Sequence, residues 1–189
     1  MVNAYDYKEL LAKHNVDPGK MGCVMLDTKP VPLADFLEDE WMREWEYVSD
    51  DPDKKWVKGF NTDEQHITLK YGLLANANTI KDDVDALLDD INFFESDMYI
   101  DHVSYFDQSD DYKCIIGHVM GDGELERANA RLSYLPHIDT FVTYRPHVTL
   151  GYVKSEYLHQ AISALSLHLY HYRLLPTGIN YGALPEKED

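Results

Sequence analysis

The chain has 189 residues and a formal net charge of −17, with 44% hydrophobic and 27% charged residues. A chain of this length can bury roughly 70% of the surface that it exposes when unfolded, and the composition excludes an intrinsically disordered protein. The acidity argues against binding of long RNA or DNA, because proteins that hold such polyanions spread Lys and Arg over their surface. We therefore expect any nucleotide ligand to be small, with solubility as the alternative reason for the charge.

The N-terminal third predicts two helices around one strand. Residues 5–14 (YDYKELLAKH) have the pattern of a short amphipathic helix that ends before a turn at Asp17-Pro18-Gly19. Residues 20–27 (KMGCVMLD) form an apolar run typical of a buried strand. Residues 33–47 carry apolar side chains at helical spacing and predict a second helix.

The polar stretch at residues 48–64 predicts a long loop. Its length and its aromatic residues Trp56 and Phe60 favour a flap that closes over a ligand. A plain surface insertion is the alternative.

The middle of the chain predicts three strands and a helix. Residues 65–74 predict a strand, and residues 79–91 predict a helix with apolar residues on one face. Residues 98–106 and 112–120 predict two strands joined as a hairpin across DQSDD.

The last third repeats the alternation of helix and strand. It predicts a helix at 123–135, a strand at 145–153, a helix at 156–169 and a final strand at 172–182. The order is an α+β pattern with an internal near-repeat. No linker rich in Gly, Ser or Pro divides the chain, so we expect residues 1–189 to form one domain of two lobes.

Two further features bear on the location of the protein. Cys23 and Cys114 lie in apolar stretches without CxxC spacing, which favours buried free thiols in a reducing compartment. The polar N-terminus has no signal-peptide pattern, and no apolar run approaches the roughly 20 residues of a membrane span. We expect a cytoplasmic protein that does not contact a membrane.

The motif His-(Ile/Val)-Thr-Leu-x-Tyr occurs twice, at residues 66–71 and 147–152. Because side chains alternate along a strand, His66 and Thr68 share one face, as do His147 and Thr149. The intervening residues, and with them the tyrosines, are expected to face the core. Lys70 is predicted to extend the polar face of the first strand and Arg145 that of the second, although a proline follows Arg145. Both are candidate substrate-binding residues.

Two imidazoles that face each other suit metal-independent phosphodiester chemistry. One accepts a proton from the nucleophile and the other donates one to the leaving oxygen, and both titrate near neutral pH. The threonine hydroxyls can donate to the non-bridging phosphate oxygens. The alternative is coincidence between two ordinary strands, since Thr, Leu and Tyr are common there.

The other seven histidines fit no such pairing in the sequence. His168 and His171 are spaced for a metal pair on one helix face, but no nearby Cys, Asp or Glu completes a site. We therefore expect neither a metal nor another cofactor.

The pair of motifs, His66-Ile67-Thr68-Leu69 and His147-Val148-Thr149-Leu150, resembles the two-histidine (2H) phosphoesterase superfamily, which includes the 2′–5′ RNA-ligase-like proteins. The resemblance runs from about residue 21 to residue 181. It implies an α+β fold of two lobes, with two antiparallel sheets lining a central cleft and helices on the outside. It also implies catalytic roles for both histidines and both threonines, without a metal.

The stretches MGCVMLD, EQHITLKYGLL and YRPHVTLGYVK are most similar to a phage branch of this superfamily, the anti-CBASS enzymes. The resemblance implies cleavage of the 3′–5′ linkages of small cyclic oligonucleotides, in the host cytosol if the protein is phage-encoded. One alternative is an enzyme that opens 2′,3′-cyclic phosphates at RNA ends or cuts 2′–5′ linkages. The other is a sponge that binds cyclic nucleotides without cleaving them.

Overall fold

A computed structural model describes residues 21–33, 43–139 and 143–182. These residues form seven strands and three α-helices. The strands are β1 (Gly22–Thr28), β2 (Gln65–Leu73), β3 (Tyr99–Phe106), β4 (Tyr112–Met120), β5 (His147–Lys154), β6 (Tyr172–Arg173) and β7 (Pro176–Gly182). The helices are α1 (Lys81–Leu88), α2 (Glu124–Leu132) and α3 (Leu158–Leu169).

The elements follow the predicted order, with two differences. The predicted helix at 5–14 and most of the one at 33–47 lie outside the described residues, and residues 43–45 form a turn. The predicted strand at 172–182 is two strands, separated by two residues that face different partners. The Leu174 amide donates to the Met98 carbonyl at 2.8 Å, and the Leu175 carbonyl accepts from the Lys29 amide at 2.8 Å. The short β6 pairs with β3, whereas β7 pairs with β1 at the opposite edge of the sheet.

All seven strands form one antiparallel sheet in the order β6-β3-β4-β5-β2-β1-β7. The prediction of two separate sheets is therefore wrong, although the sheet has a narrow junction. The strands β2 and β5 pair at Ile67 and Val148 alone. We refer to β7-β1-β2 as the first half-sheet and to β5-β4-β3-β6 as the second.

The three helices and the hydrophobic core cover one face of this sheet. Buried side chains recur at helical spacing in α2 (Leu125, Ala128, Leu132) and in α3 (Leu158, Ala161, Leu165, Leu169). They join one cluster with Ile67 and Val148, which are both fully buried at the junction. Burying such a side chain stabilises the fold by about 1.5–3 kcal/mol, so the core holds the two half-sheets together. No helix in the described parts of the chain is long and apolar enough to cross a bilayer.

Residues 45–61 occupy the edge of β5 where β2 diverges from it. The Tyr47 amide donates to the Tyr152 carbonyl at 3.0 Å, and the Asn61 amide donates to the Leu150 carbonyl at 2.8 Å. The contact is so close that a Cβ atom on Gly151, whose φ is +151°, would lie 2.5 Å from the Cα of Phe60. The base of the predicted flap is thus fixed to the sheet. Closure over a ligand stays a prediction for its exposed tip, around Trp56.

Candidate active site

The junction between β2 and β5 brings the two predicted motifs together. Since Ile67 faces Val148 in an antiparallel pair, His66 lies opposite Thr149, and Thr68 lies opposite His147. Because Ile67 and Val148 point into the core, all four polar side chains lie on the other face of the sheet. Opposite Cβ atoms in such pairs are about 4.5–5.5 Å apart and diagonal ones about 7–8 Å. The two imidazoles therefore lie on one diagonal of a four-residue square.

Each motif strand has a β-bulge just after its threonine. In β2 the register passes from Met25↔Thr68 to Val24↔Lys70, which leaves Leu69 as the extra residue. In β5 it passes from Ile116↔Thr149 to Ile115↔Gly151, which leaves Leu150 as the extra residue. A bulge of this kind shifts the alternation of side chains by one position. The next residues therefore point opposite to the predicted direction.

The bulge turns Lys70 away from the motif face. Lys70 pairs with the core residue Val24, is 5% exposed, and donates from Nζ to Ser133 Oγ at 2.9 Å and to Asp139 Oδ1 at 2.8 Å. The prediction that Lys70 extends the polar face is therefore wrong. Its ammonium group supports the junction between β2 and the end of α2.

The same shift moves the motif tyrosines onto the face of the histidines. Tyr71 lies opposite Cys23, and Tyr152 lies opposite Cys114. The prediction that they face the core is wrong for this reason. Both tyrosines are partly buried rather than sealed in the interior.

The protonation of His66 depends on its burial and on neighbouring charged groups on the sheet. Desolvation lowers its pKa below the ordinary value of 6.5, and the nearby His147 lowers it further. Asp27, which lies opposite His66 on β1, acts in the other direction and raises the pKa. The Asp27 carboxylate also accepts a hydrogen bond from Asn180 Nδ2 at 3.2 Å. His66 is thus neutral at neutral pH and has a carboxylate beside it.

His147 is oriented by two contacts. Its Nδ1 donates to the Arg145 carbonyl at 2.9 Å, because a carbonyl only accepts. Its ring also meets Phe106 edge to face, with centroids 5.1 Å apart. This tautomer leaves Nε2 as the nitrogen that is available to a ligand. The Arg145 side chain is exposed, and its role as a substrate-binding group stays a prediction.

Two further histidines extend the row from His147 across the second half-sheet. His118 lies opposite His147, and His102 lies opposite His118. The rings of His102 and His118 stack with centroids 4.1 Å apart, and His118 Nε2 is 2.7 Å from Ser104 Oγ. Burial, then His102, His147 and Arg145, lower the pKa of His118 to about 4.

The expectation that the remaining histidines fit no pairing is therefore wrong for His102 and His118. The sequence did indicate that His102 and His118 could lie close together, because they belong to the two strands of a predicted hairpin. The register that aligns them with His147 was not readable from the sequence.

The two cysteines also belong to this face of the sheet. Hydrogen bonds from Thr68 to the Cys23 sulfur, and from Tyr152 and Thr149 to the Cys114 sulfur, act to lower the pKa of each thiol. Burial raises the pKa of each thiol to about 11. Both are free thiols, as predicted, but their contacts with the motif threonines were missed.

The predicted helix face of His168 and His171 does not exist. The helix α3 ends at Leu169, and His171 follows it with a positive φ of 58° and stacks on Tyr99 at 4.6 Å. In the described ranges no three His, Cys, Asp or Glu side chains are grouped to hold a metal ion.

The fold is similar to that of solved structures. Usb1 of Kluyveromyces marxianus superposes with a TM-score of 0.50 and 10% identity, over 87% of this chain and 98% of Usb1. A structure of the same Usb1 with uridine monophosphate gives a TM-score of 0.48 and 12% identity over the same shares. No family model matches the sequence, and no curated protein matches it. The likeness to Usb1 concerns the fold alone.

Proposed function

We propose that this protein is a metal-independent phosphodiesterase that uses His66 and His147 as its acid–base pair. The observation that carries the proposal is the four-residue square at the junction, in which the two imidazoles share a diagonal and the two hydroxyls share the other. A phosphate over the centre of this square is within reach of both histidines and both threonines.

In the proposed reaction a ribose 2′-hydroxyl attacks the adjacent phosphorus. One imidazole accepts the hydroxyl proton as the P–O2′ bond forms, and the other donates a proton to the 5′-oxygen as the P–O5′ bond breaks. The products are a 2′,3′-cyclic phosphate and a free 5′-hydroxyl. Thr68 and Thr149 donate to the non-bridging oxygens, whose charge must be stabilised in the transition state.

We infer that the substrate is a small cyclic oligonucleotide with 3′–5′ linkages. The net charge of −17 opposes long polyanions, and the cationic Lys70 on β2 points away from the motif face. A small ligand held by local hydrogen bonds suits such a site. The same four residues also serve the alternative, the opening of 2′,3′-cyclic phosphates or the cleavage of 2′–5′ linkages.

The test is incubation of the purified protein with EDTA and a panel of substrates, followed by chromatography of the products. The panel contains cyclic di- and trinucleotides, 2′,3′-cyclic mononucleotides and a 2′–5′ dinucleotide. We expect cyclic oligonucleotides to be cut fastest, at a rate that EDTA leaves unchanged. Loss of turnover on chelation that zinc or manganese restores would contradict the metal-independent mechanism. Tight binding with the ligand recovered intact would identify a sponge instead.

A further inference from the structure

We propose that Tyr144 is a positioning residue whose hydroxyl aligns the two halves of the site. We refer to His66 with Thr68 as the first half-site and to His147 with Thr149 as the second. The Tyr144 hydroxyl, just before β5, donates to the Thr68 carbonyl on β2 at 3.0 Å, so the bond crosses the junction. The inference rests on the proposed function, because both half-sites must be aligned on one phosphate.

The first support is the sparse backbone pairing at the junction. The strands β2 and β5 share a single residue pair, and the β-bulge at Leu69 follows it directly. Since a bulge disrupts the ladder locally, side chains have to hold the backbone there. The Tyr144 hydroxyl holds the Thr68 carbonyl, and Asn129 Nδ2 on α2 donates to the Leu69 carbonyl at 2.6 Å.

The second support is that the segment before β5 also orients the imidazole of the second half-site. The Arg145 carbonyl accepts a hydrogen bond from His147 Nδ1 at 2.9 Å. The Pro146 carbonyl accepts one from the Val119 amide of β4 at 2.9 Å, which anchors the segment to the second half-sheet. Tyr144 ties this anchored segment to the first half-site.

The third support is that the Tyr144 hydroxyl is a fixed donor. Its ring packs against the hydrophobic core, which restricts the position of the hydroxyl. Burial, and then the nearby Glu126, raise the pKa of this hydroxyl above the ordinary value of 10. Because a carbonyl only accepts, the hydroxyl donates in this contact. The bond is therefore in place before a substrate binds.

Removal of the hydroxyl is expected to reduce turnover rather than binding. Tyr144→Phe keeps the ring in the core and removes only the donor to Thr68. We expect kcat to fall about 10-fold, since a misplacement of about 1 Å can cost up to roughly 10²-fold in rate. KM should change little, because every group proposed to contact the ligand remains.

The matched control is Tyr181→Phe. The Tyr181 ring also packs against the core, and its hydroxyl donates to the Asp85 carboxylate. This bond joins β7 to α1 instead of the two half-sites. Each variant loses one hydroxyl hydrogen bond, so we expect both to lower Tm by similar amounts. Only Tyr144→Phe should lower kcat.

The decisive experiment combines kinetics with hydrogen exchange of the ligand-free protein. We expect Tyr144→Phe to speed exchange of the β2 and β5 amides around the junction relative to those of β3 and β4, and Tyr181→Phe to leave this ratio unchanged. Kinetics use the substrate that the wild type cuts fastest. In a His66→Ala background, Tyr144→Phe should have little further effect on kcat, because the half-site that it aligns has already lost its proton-transfer group.

The outcomes separate this inference from the proposed function. Faster exchange at the junction, with a loss of kcat that Tyr181→Phe lacks, would support the positioning role. Unchanged exchange there, an equal kcat in the two Tyr→Phe variants, or a loss that persists undiminished in the His66→Ala background would each overturn it. If the wild type cleaves no substrate in the panel, the proposed function fails and the catalytic role of Tyr144 fails with it. Hydrogen exchange would still show whether the hydroxyl holds the junction.

Discussion

The two half-sites have the same geometry but different electrostatics. Each contains a histidine, a threonine two residues after it, a β-bulge, and a cysteine on the next strand whose sulfur accepts a hydrogen bond from the threonine. The residue opposite the histidine differs: Asp27 stands opposite His66, and His118 stands opposite His147. An acid–base pair needs one imidazole protonated while the other is neutral, and identical surroundings would make both titrate together. The two half-sites therefore share their backbone geometry and differ in the residue that lies opposite the histidine.

The neighbours act on the histidines in opposite directions. Asp27 raises the pKa of His66 against the larger effect of desolvation. In the second half-sheet, burial and then His102, His147 and Arg145 lower the pKa of His118 against the opposing effect of Asp101, so the ring opposite His147 stays neutral at neutral pH. Asp27 thus favours the protonated form of His66, whereas the surroundings of His118 on balance disfavour its protonated form.

The largest expected effect concerns the property that the half-sites share. His66→Ala and His147→Ala should each lower kcat by roughly 10²–10⁴-fold, because each removes a proton acceptor or donor from one transition state. The double variant should lose much less than the product of the two single losses. Steady-state kinetics and calorimetric binding of the same ligand are the measurements.

The control for these variants is His159→Ala, an exposed histidine on α3. It should leave kcat unchanged. Retention of turnover in either motif variant would break the equivalence of the two half-sites and end the acid–base assignment.

The threonines should give the next largest effect. Thr68→Val and Thr149→Val should each lower kcat by about 10–100-fold, since a hydrogen bond to a charged group contributes about 1.5–3 kcal/mol. Thr→Ser at either position keeps the hydroxyl and should retain most of the activity. Similar losses at the two positions would sharpen the view of the half-sites as equal donors. A loss at one position alone would mean that the phosphate sits over a single half-site.

His118 should make the stability of the fold depend on pH. Its pKa is about 4 in the folded protein, against an ordinary 6.5, so below pH 6.5 the unfolded chain binds a proton that the folded chain does not. The contribution is complete above pH 6.5 and is lost as the pH falls towards 4. We expect about 1–2 kcal/mol after allowance for solvent screening.

The measurement is urea denaturation of the wild type and His118→Asn at pH 7 and pH 4.5. Between pH 7 and pH 4.5 the free energy of unfolding should fall less in His118→Asn than in the wild type. The control His159→Ala, at an exposed position, should lose as much free energy of unfolding as the wild type over the same range. An equal fall in the free energy of unfolding in the wild type and in His118→Asn would show that the fold does not keep the His118 ring neutral.

The smallest expected effect is a shift in the pH–rate profile. Asp27→Asn removes the carboxylate that raises the pKa of His66, so the limb of the profile that belongs to His66 should move to lower pH. Movement of the acidic limb would assign His66 as the base, and movement of the alkaline limb would assign it as the acid. Asp110→Asn, on the β3–β4 loop, is the control. A profile in which neither limb moves would remove the proposed asymmetry.

The local features of this fold were readable from the sequence, and the long-range ones were not. The two HxT strands, the order of the elements and the free thiols follow from periodicity and local composition. The bulges after Thr68 and Thr149 were not predicted, because they become visible only in the pairing with β1 and β4, although Gly151 follows the second of them. One shifted position was enough to place Lys70 in the core and the motif tyrosines on the site face.

The environment of the histidines depended on register in the same way. His118 becomes a neighbour of His147 through the alignment of β4 with β5, across more than twenty residues of chain. The sheet is continuous because Ile67 and Val148 pair with each other. No pattern in the sequence shows whether β2 and β5 form this pair or belong to two separate sheets.

That single pair has a mechanical consequence. The core holds the two half-sheets from one side, while on the other side the sheet is narrowest where Ile67 meets Val148. A phosphate held by His66 and His147 together would bridge this junction, because each half-sheet would supply one of its two contacts. A ligand that contacts one half alone would add no stiffness there. Binding of the substrate would therefore also make the junction between the two half-sheets more rigid.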